Sequence, residues 1–198
     1  ARGLRWTQPG WDEGLWRKMA GLGWLDPDLG ASEFCLIAEA AGRHLAPEPL
    51  VAHRAGNLAH EAVRRVDGRP RFHAGPDDRR LDATVTLCAE LLGVCTAAFE
   101  MTLDYLKTRV QFGQPIGAFQ ALQHRAARLY IDLTLARTAV YSAASALDIV
   151  SDDSEPLVSL AKARLGETAI HLTGEAVQMH GGIGVTEEHD IGLFLKRA

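Results

Sequence analysis

Arg109 closes the first of three long apolar stripes, and its guanidinium is a planar fork of donors matched to a phosphate, which a lysine offers only as a point charge. The helix dipole explains an arginine at a helix C-terminus equally well. At the end of the third stripe, Gly181, Gly182 and Gly184 follow Gln178. Glycines there let backbone amides approach a pyrophosphate, although glycines also commonly end one helix before another begins. Each segment therefore carries anion-recognition chemistry at a helix end beside a purely structural alternative. Other polar residues offer less. Glu90, Glu100 and Asp104 are expected on the solvent side of the first long helix, and Glu187 and Glu188 in the first turn of a last helix capped by Thr186. His180 and His189 read as structural histidines rather than metal ligands, and His53 and His60, two turns apart, as packing or solvated residues. No Ser, Asp and His constellation can be assembled, so no catalytic residue and no metal site is assigned.

Long helices must position these groups. Leu81 through Leu106, Phe119 through Leu147 and Leu157 through Met179 each carry apolar residues at alternating spacings of three and four, the seam of a left-handed bundle. Short connections at 113–117 and 151–156 make neighbours antiparallel, and a shorter helix after Thr186 completes four. Upstream, helices are expected from about Trp11 to Gly21, from Ser32 to Arg43 with Ser32 or Asp28 as cap, and after Pro49. Pro47 and Pro49 end the second of these. From Val66 to Arg80 the periodicity fails, and Asp67–Gly68–Arg69–Pro70 and Ala74–Gly75–Pro76–Asp77–Asp78 are turn chemistry. No strand is expected. The fold class is therefore all-α, with a small N-terminal helical domain over 1–70, a linker over 71–80 and a C-terminal antiparallel four-helix bundle over 81–198.

Composition narrows the function. The chain has 198 residues, 47% of them hydrophobic, and a formal charge of −4 with no basic block, so nucleic-acid and anionic-membrane binding lack electrostatic support. With no run of about 18 apolar residues and a polar N-terminus, a cytoplasmic location is expected. Cys88 and Cys95 are separated by roughly 10 Å along one helix, beyond disulfide reach, and with Cys35 they read as small buried hydrophobes.

The run Arg109–Val110–Gln111–Phe112–Gly113–Gln114–Pro115–Ile116–Gly117–Ala118–Phe119–Gln120, together with Gln178–Met179–His180–Gly181–Gly182–Ile183–Gly184–Val185–Thr186, resembles the two flavin-contacting segments of the acyl-CoA dehydrogenase family. Trp11–Asp12–Glu13–Gly14–Leu15–Trp16 and Gly42–Arg43–His44–Leu45–Ala46–Pro47–Glu48–Pro49 resemble its N-terminal helical domain. The resemblance implies FAD contacts at Arg109, Phe112, Gln120, Gln178, Gly181 and Gly182, made in that family to the flavin of a neighbouring subunit, and hence an oligomer. The closing stretch from Gly182 to Ala198 looks most like actinobacterial members that work as α2β2 heteromeric dehydrogenases on CoA thioesters of steroid side chains.

The chain also departs from that family. A middle β-domain of roughly a hundred residues, a common domain size, is expected between the helical domains, and only the segment from Val66 to Arg80 stands in its place. The family's catalytic glutamate lies either after the fourth bundle helix, beyond Ala198, or near the start of the first, where alignment on Leu91–Leu92–Gly93 puts Ala83. The expectation is a subunit without the base, lending its motif residues to the FAD of a catalytic acyl-CoA dehydrogenase partner and meeting acyl-CoA through the complex. A helical scaffold that keeps the motifs for packing is the alternative. A complete dehydrogenase with unlisted segments is a third reading, which intact mass separates by an addition on the order of 10 kDa.

Overall fold

In a computed structural model of the protein, residues 12–26, 28–46, 50–54, 63–66, 69–72 and 80–198 are described. Trp11, Pro47, Pro49, His60, Asp67, Gly68 and the stretch 73–79 lie outside them.

Helix α1 (Glu13–Gly21) starts where the Asp12 carboxylate accepts the Leu15 N–H at 3.0 Å. Helix α2 (Ala31–Arg43) is capped differently from the expectation: neither Ser32 nor Asp28 serves, and Gly30 is the N-cap. The Asp148 carboxylate, from the far end of another helix, receives the N–H groups of Ala31 and Ser32. A Cβ on Gly30 would lie 2.8 Å from that carboxylate, so glycine admits it. Helix α3 (Leu50–Arg54) follows.

Strands are present despite the all-helical expectation. Strands β1 (Val63–Val66) and β2 (Arg69–Phe72) pair antiparallel, Val66 opposite Arg69, across an Asp-Gly dipeptide that is a strong hairpin signal. After helix α4 (Arg80–Thr108), β3 (Val110–Gln111) and β4 (Gln114–Pro115) form a second hairpin. Phe112 and Gly113 turn it with φ of +54° and +82°, the double positive φ that a two-residue hairpin demands.

Helices α5 (Gln120–Asp148) and α6 (Ser154–His180) run antiparallel, shown by the ion pairs Arg125–Glu175 and Arg164–Asp132, both 2.6 Å. A 3₁₀ turn over Gly181–Val185 then leads to helix α7 (Ile191–Arg197). The expected start of this last helix at Thr186 is corrected. Thr186 closes the turn, its hydroxyl donating to the Ile183 carbonyl at 2.9 Å, and His189 Nδ1 accepts the Ile191 N–H at 3.1 Å. The turn packs back against α6: a Cβ on Gly184 would stand 2.6 Å from the Val177 carbonyl.

One hydrophobic core joins α2 to the bundle, with Leu92, Leu165 and Leu172 wholly enclosed, each burial contributing about 1.5–3 kcal/mol. Met19, Phe34 and Leu50 form a smaller cluster. By length and composition α4 could cross a membrane; here α2, α5 and α6 cover its apolar surface. Where α2 crosses α4 the backbones touch. A Cβ on Gly42 would lie 1.9 Å from the Glu90 carbonyl, and one on Gly93 2.0 Å from that of Glu39. The crossing traps two carboxylates. Glu39 receives both Arg137 terminal nitrogens, at 2.6 and 3.0 Å, and the Tyr141 hydroxyl at 2.7 Å. Glu90, expected in solvent, is 6% exposed and paired with Arg197 of α7. Burial raises its carboxyl pKa, and Arg197 opposes that shift. The three cysteines are buried and unpaired as expected, their thiols pushed up to about 12, 11 and 12 at Cys35, Cys88 and Cys95 by desolvation.

Candidate functional site

The ends of α4 and α6 meet at one end of the bundle, because Tyr105 in the last turn of α4 stacks on His180, the last residue of α6, with centroids 4.4 Å apart. Arg109 lies one turn beyond Tyr105, its N–H bonded to the Tyr105 carbonyl at 2.9 Å and its carbonyl accepting the Ile116 N–H at 2.8 Å. The hairpin is therefore anchored while the guanidinium is left outside. Phe112, at its tip, is 89% exposed with only an edge contact to Phe119. A bulky residue at positive φ is strained, and strain of this kind gathers at functional positions. Gln120 opens α5 and is exposed; Gln178 is exposed on the last turn of α6.

The glycine turn completes the set. Gly181 leaves α6 at φ +66°, and a Cβ on either Gly181 or Gly182 would meet nothing within 4 Å, so this backbone is open to an external group. The structure thus brings all six sequence-predicted residues to the same end of the bundle. No hydrogen bond among the described residues joins the Arg109, Phe112 and Gln120 side to the Gln178, Gly181 and Gly182 side. Arg109, Gln120 and Gln178 also lack any side-chain partner there.

Two hollows flank this end. A cleft of about 510 Å³ is bordered by Arg43, Glu100, Asp104, Tyr105, Thr108 and His189, and a groove of about 250 Å³ runs between the glycine turn and α7. Among the described residues no cluster of three metal-ligating side chains exists. His53 faces the Leu25 carbonyl at 2.9 Å and stacks on Phe34, a packed role.

Residues 82–198 match the family described as acyl-CoA dehydrogenase, C-terminal domain. The chain belongs to the acyl-CoA dehydrogenase family. Among acyl-CoA dehydrogenases of known sequence it is 44% identical over 124 residues to IpdE2 of Mycolicibacterium smegmatis and 40% identical over 116 residues to IpdE2 of Mycobacterium tuberculosis. Those alignments take in 62% and 59% of this chain but only 38% and 35% of the relatives, so the chain matches little more than a third of their length. Its fold is similar to a chain of the Tcur3481-Tcur3483 steroid ACAD (TM-score 0.82, 22% identity) and to one of the ChsE4-ChsE5 complex from Mycobacterium tuberculosis (0.81, 19%), in both cases over 99% of this chain and 85% of the other. The similarity to butyryl-CoA dehydrogenase from Megasphaera elsdenii, 29% identical with a TM-score of 0.59, covers 61% of this chain and 31% of that one.

Acyl-CoA dehydrogenases use FAD, and the residues at this bundle end fit it: a guanidinium and a glycine turn with no side chain over its backbone suit its pyrophosphate, two free carboxamides suit its polar edges, and an exposed phenyl offers a stacking face. Sequence reasoning missed Tyr105 and the burial of His180, which nothing local announces. It also missed the Glu39 network and the enclosure of Glu90. Gly42 and Gly93 inside helical stripes were the available signal, since an interior glycine costs stability unless backbones must approach.

Proposed function

We propose that this chain is a subunit of a flavin-dependent dehydrogenase of CoA thioesters, whose bundle end completes the FAD site of a catalytic partner subunit. The observation that carries this reading is the exposure of the motif: the side chains of Arg109, Phe112, Gln120 and Gln178 stand in solvent, and of these only Phe112 touches another ring of the chain, at the edge of Phe119. A scaffold that kept them for packing would bury them. When bound, FAD supplies the hydride acceptor for α,β-dehydrogenation. Arg109 would hold phosphate charge from the hairpin, the Gly182 amide would do so from the turn, with Gly181, whose N–H goes to the Gln178 carbonyl, leaving room for the approach, and Gln120 and Gln178 would orient the cofactor by side-chain hydrogen bonds.

In this reading the base that removes the proton beside the thioester carbonyl comes from the partner; Ala83 at the position aligned with the family's glutamate on the first bundle helix supports it. The likeness in fold, over 99% of this chain, to a chain of the Tcur3481-Tcur3483 steroid ACAD and to one of the ChsE4-ChsE5 complex supports a mixed assembly, and the first of them supports a steroid side-chain thioester as substrate. Co-expression with the genomic neighbours, followed by native mass and a flavin spectrum, tests it. A yellow mixed complex with less than one FAD per chain is the expected result; a colourless assembly of this chain alone would sink the proposal.

A further inference from the structure

Beneath the glycine turn lies a polar atom with no partner. His180 is 3% exposed, and its Nε2 is buried without a hydrogen bond. Nδ1 stands 2.7 Å from the Ala176 carbonyl oxygen, which can only accept, so Nδ1 carries the proton and Nε2 a bare lone pair. The ring is stacked on Tyr105 and lies 4.5 Å from the His189 ring. The turn closes on its root: a Cβ on Gly184 would lie 3.1 Å from the His180 Cβ, and Gly181 departs at φ +66° immediately after it.

An unpartnered buried acceptor is rare and costly. A phenyl ring would fill the same stack without that cost; the imidazole adds the Nδ1–H donor to Ala176 and, at Nε2, a site for a second proton. We propose that His180 is a positioning residue for the Gly181–Gly184 turn that holds it only while the imidazole is neutral, so that a phosphate-bearing ligand is released from the turn by a single proton. The flavin part of this rests on the function proposed above.

Protonation would leave a buried Nε2–H with no acceptor among the described residues. The titratable groups whose rings pack on the imidazole are Tyr105 from α4 and His189 from the loop before α7, and the carboxylates of that loop, Glu187, Glu188 and Asp190, make no hydrogen bond to Nε2. Desolvation, the largest influence, and His189 both lower its pKa below 6.5, while the Ala176 carbonyl partly opposes them. A depressed histidine is neutral in the folded state at pH 7; the turn is intact above 6.5 and is weakened as pH falls through that value towards the lower folded pKa. Attraction of an imidazolium for phosphate works the other way, and the direction in which affinity changes with pH decides between the two.

Histidine nitrogen NMR of the full chain is the first arm. The expected result is a neutral Nδ1–H tautomer whose midpoint lies below the ordinary histidine range, with the Gly182 and Gly184 amide signals following that midpoint. An Nε2–H tautomer, an ordinary titration or glycine signals that ignore it would overturn the proposal. The second arm is FAD affinity of the complex with its flavoprotein partner between pH 8 and 5. Wild type should weaken as pH falls through the NMR midpoint, by at most about tenfold per pH unit, the slope of one proton. His180→Asn, which keeps a donor for Ala176 and cannot be protonated, should give a flat profile and near-wild-type affinity at pH 8. Acid dependence retained in that variant, or affinity that rises as pH falls, would contradict the switch. A complex without FAD at any pH would defeat the flavin reading alone, leaving the shared NMR midpoint to decide the switch.

Discussion

The α2–α4 crossing and the open end of the bundle treat polar groups in opposite ways. At the crossing two carboxylates are taken out of water and each is answered from within the chain, Glu39 by Arg137 and Tyr141, Glu90 by Arg197. At the end, a guanidinium, two carboxamides and a phenyl stay in solvent with almost no internal role. Substitutions at the first region should therefore be read in stability, and those at the second in binding.

Gly93→Ala should have the largest effect, because its Cβ would lie 2.0 Å from a backbone oxygen that cannot step aside. About 3 kcal/mol, or roughly 10 °C in the thermal midpoint, is expected from such overpacking. Glu39→Ala should cost about 2 kcal/mol in urea unfolding, less than a fully buried pair because Arg137 is 39% exposed and regains water. Phe112→Asn sharpens the contrast: asparagine tolerates φ +54° better, so stability should hold or rise by up to about 1 kcal/mol while FAD retention by the complex falls. If stability drops instead, Phe112 belongs to the internal packing after all. Glu175→Gln should matter least. Its hydrogen bond to Arg125, with their charge attraction, lowers the carboxyl pKa below 4.5, so its contribution is present above 4.5 and fades as pH falls further. Thermal midpoints at pH 7 and 4 should differ less in the variant than in wild type.

The helices, their lengths and their antiparallel order were legible because α4, α5 and α6 carry sustained apolar stripes between glycine and proline punctuation. The six motif residues were singled out by resemblance alone, since spacing left Arg109 and the glycines open to structural explanations. What escaped depends on distant partners. Asp148 caps α2 from 117 residues away, and Glu90 is buried by a helix that crosses at Gly42. The short hairpins escaped because strands of two to four residues carry too few positions for a period-two signal.

The most direct test of the central claim compares the co-purified complex carrying wild-type chain with one carrying Arg109→Ala and Gln178→Ala together. The account predicts the same native assembly mass and the same thermal midpoint, with FAD largely lost. Unchanged FAD content in an intact complex would contradict it and return these residues to the surface of a scaffold.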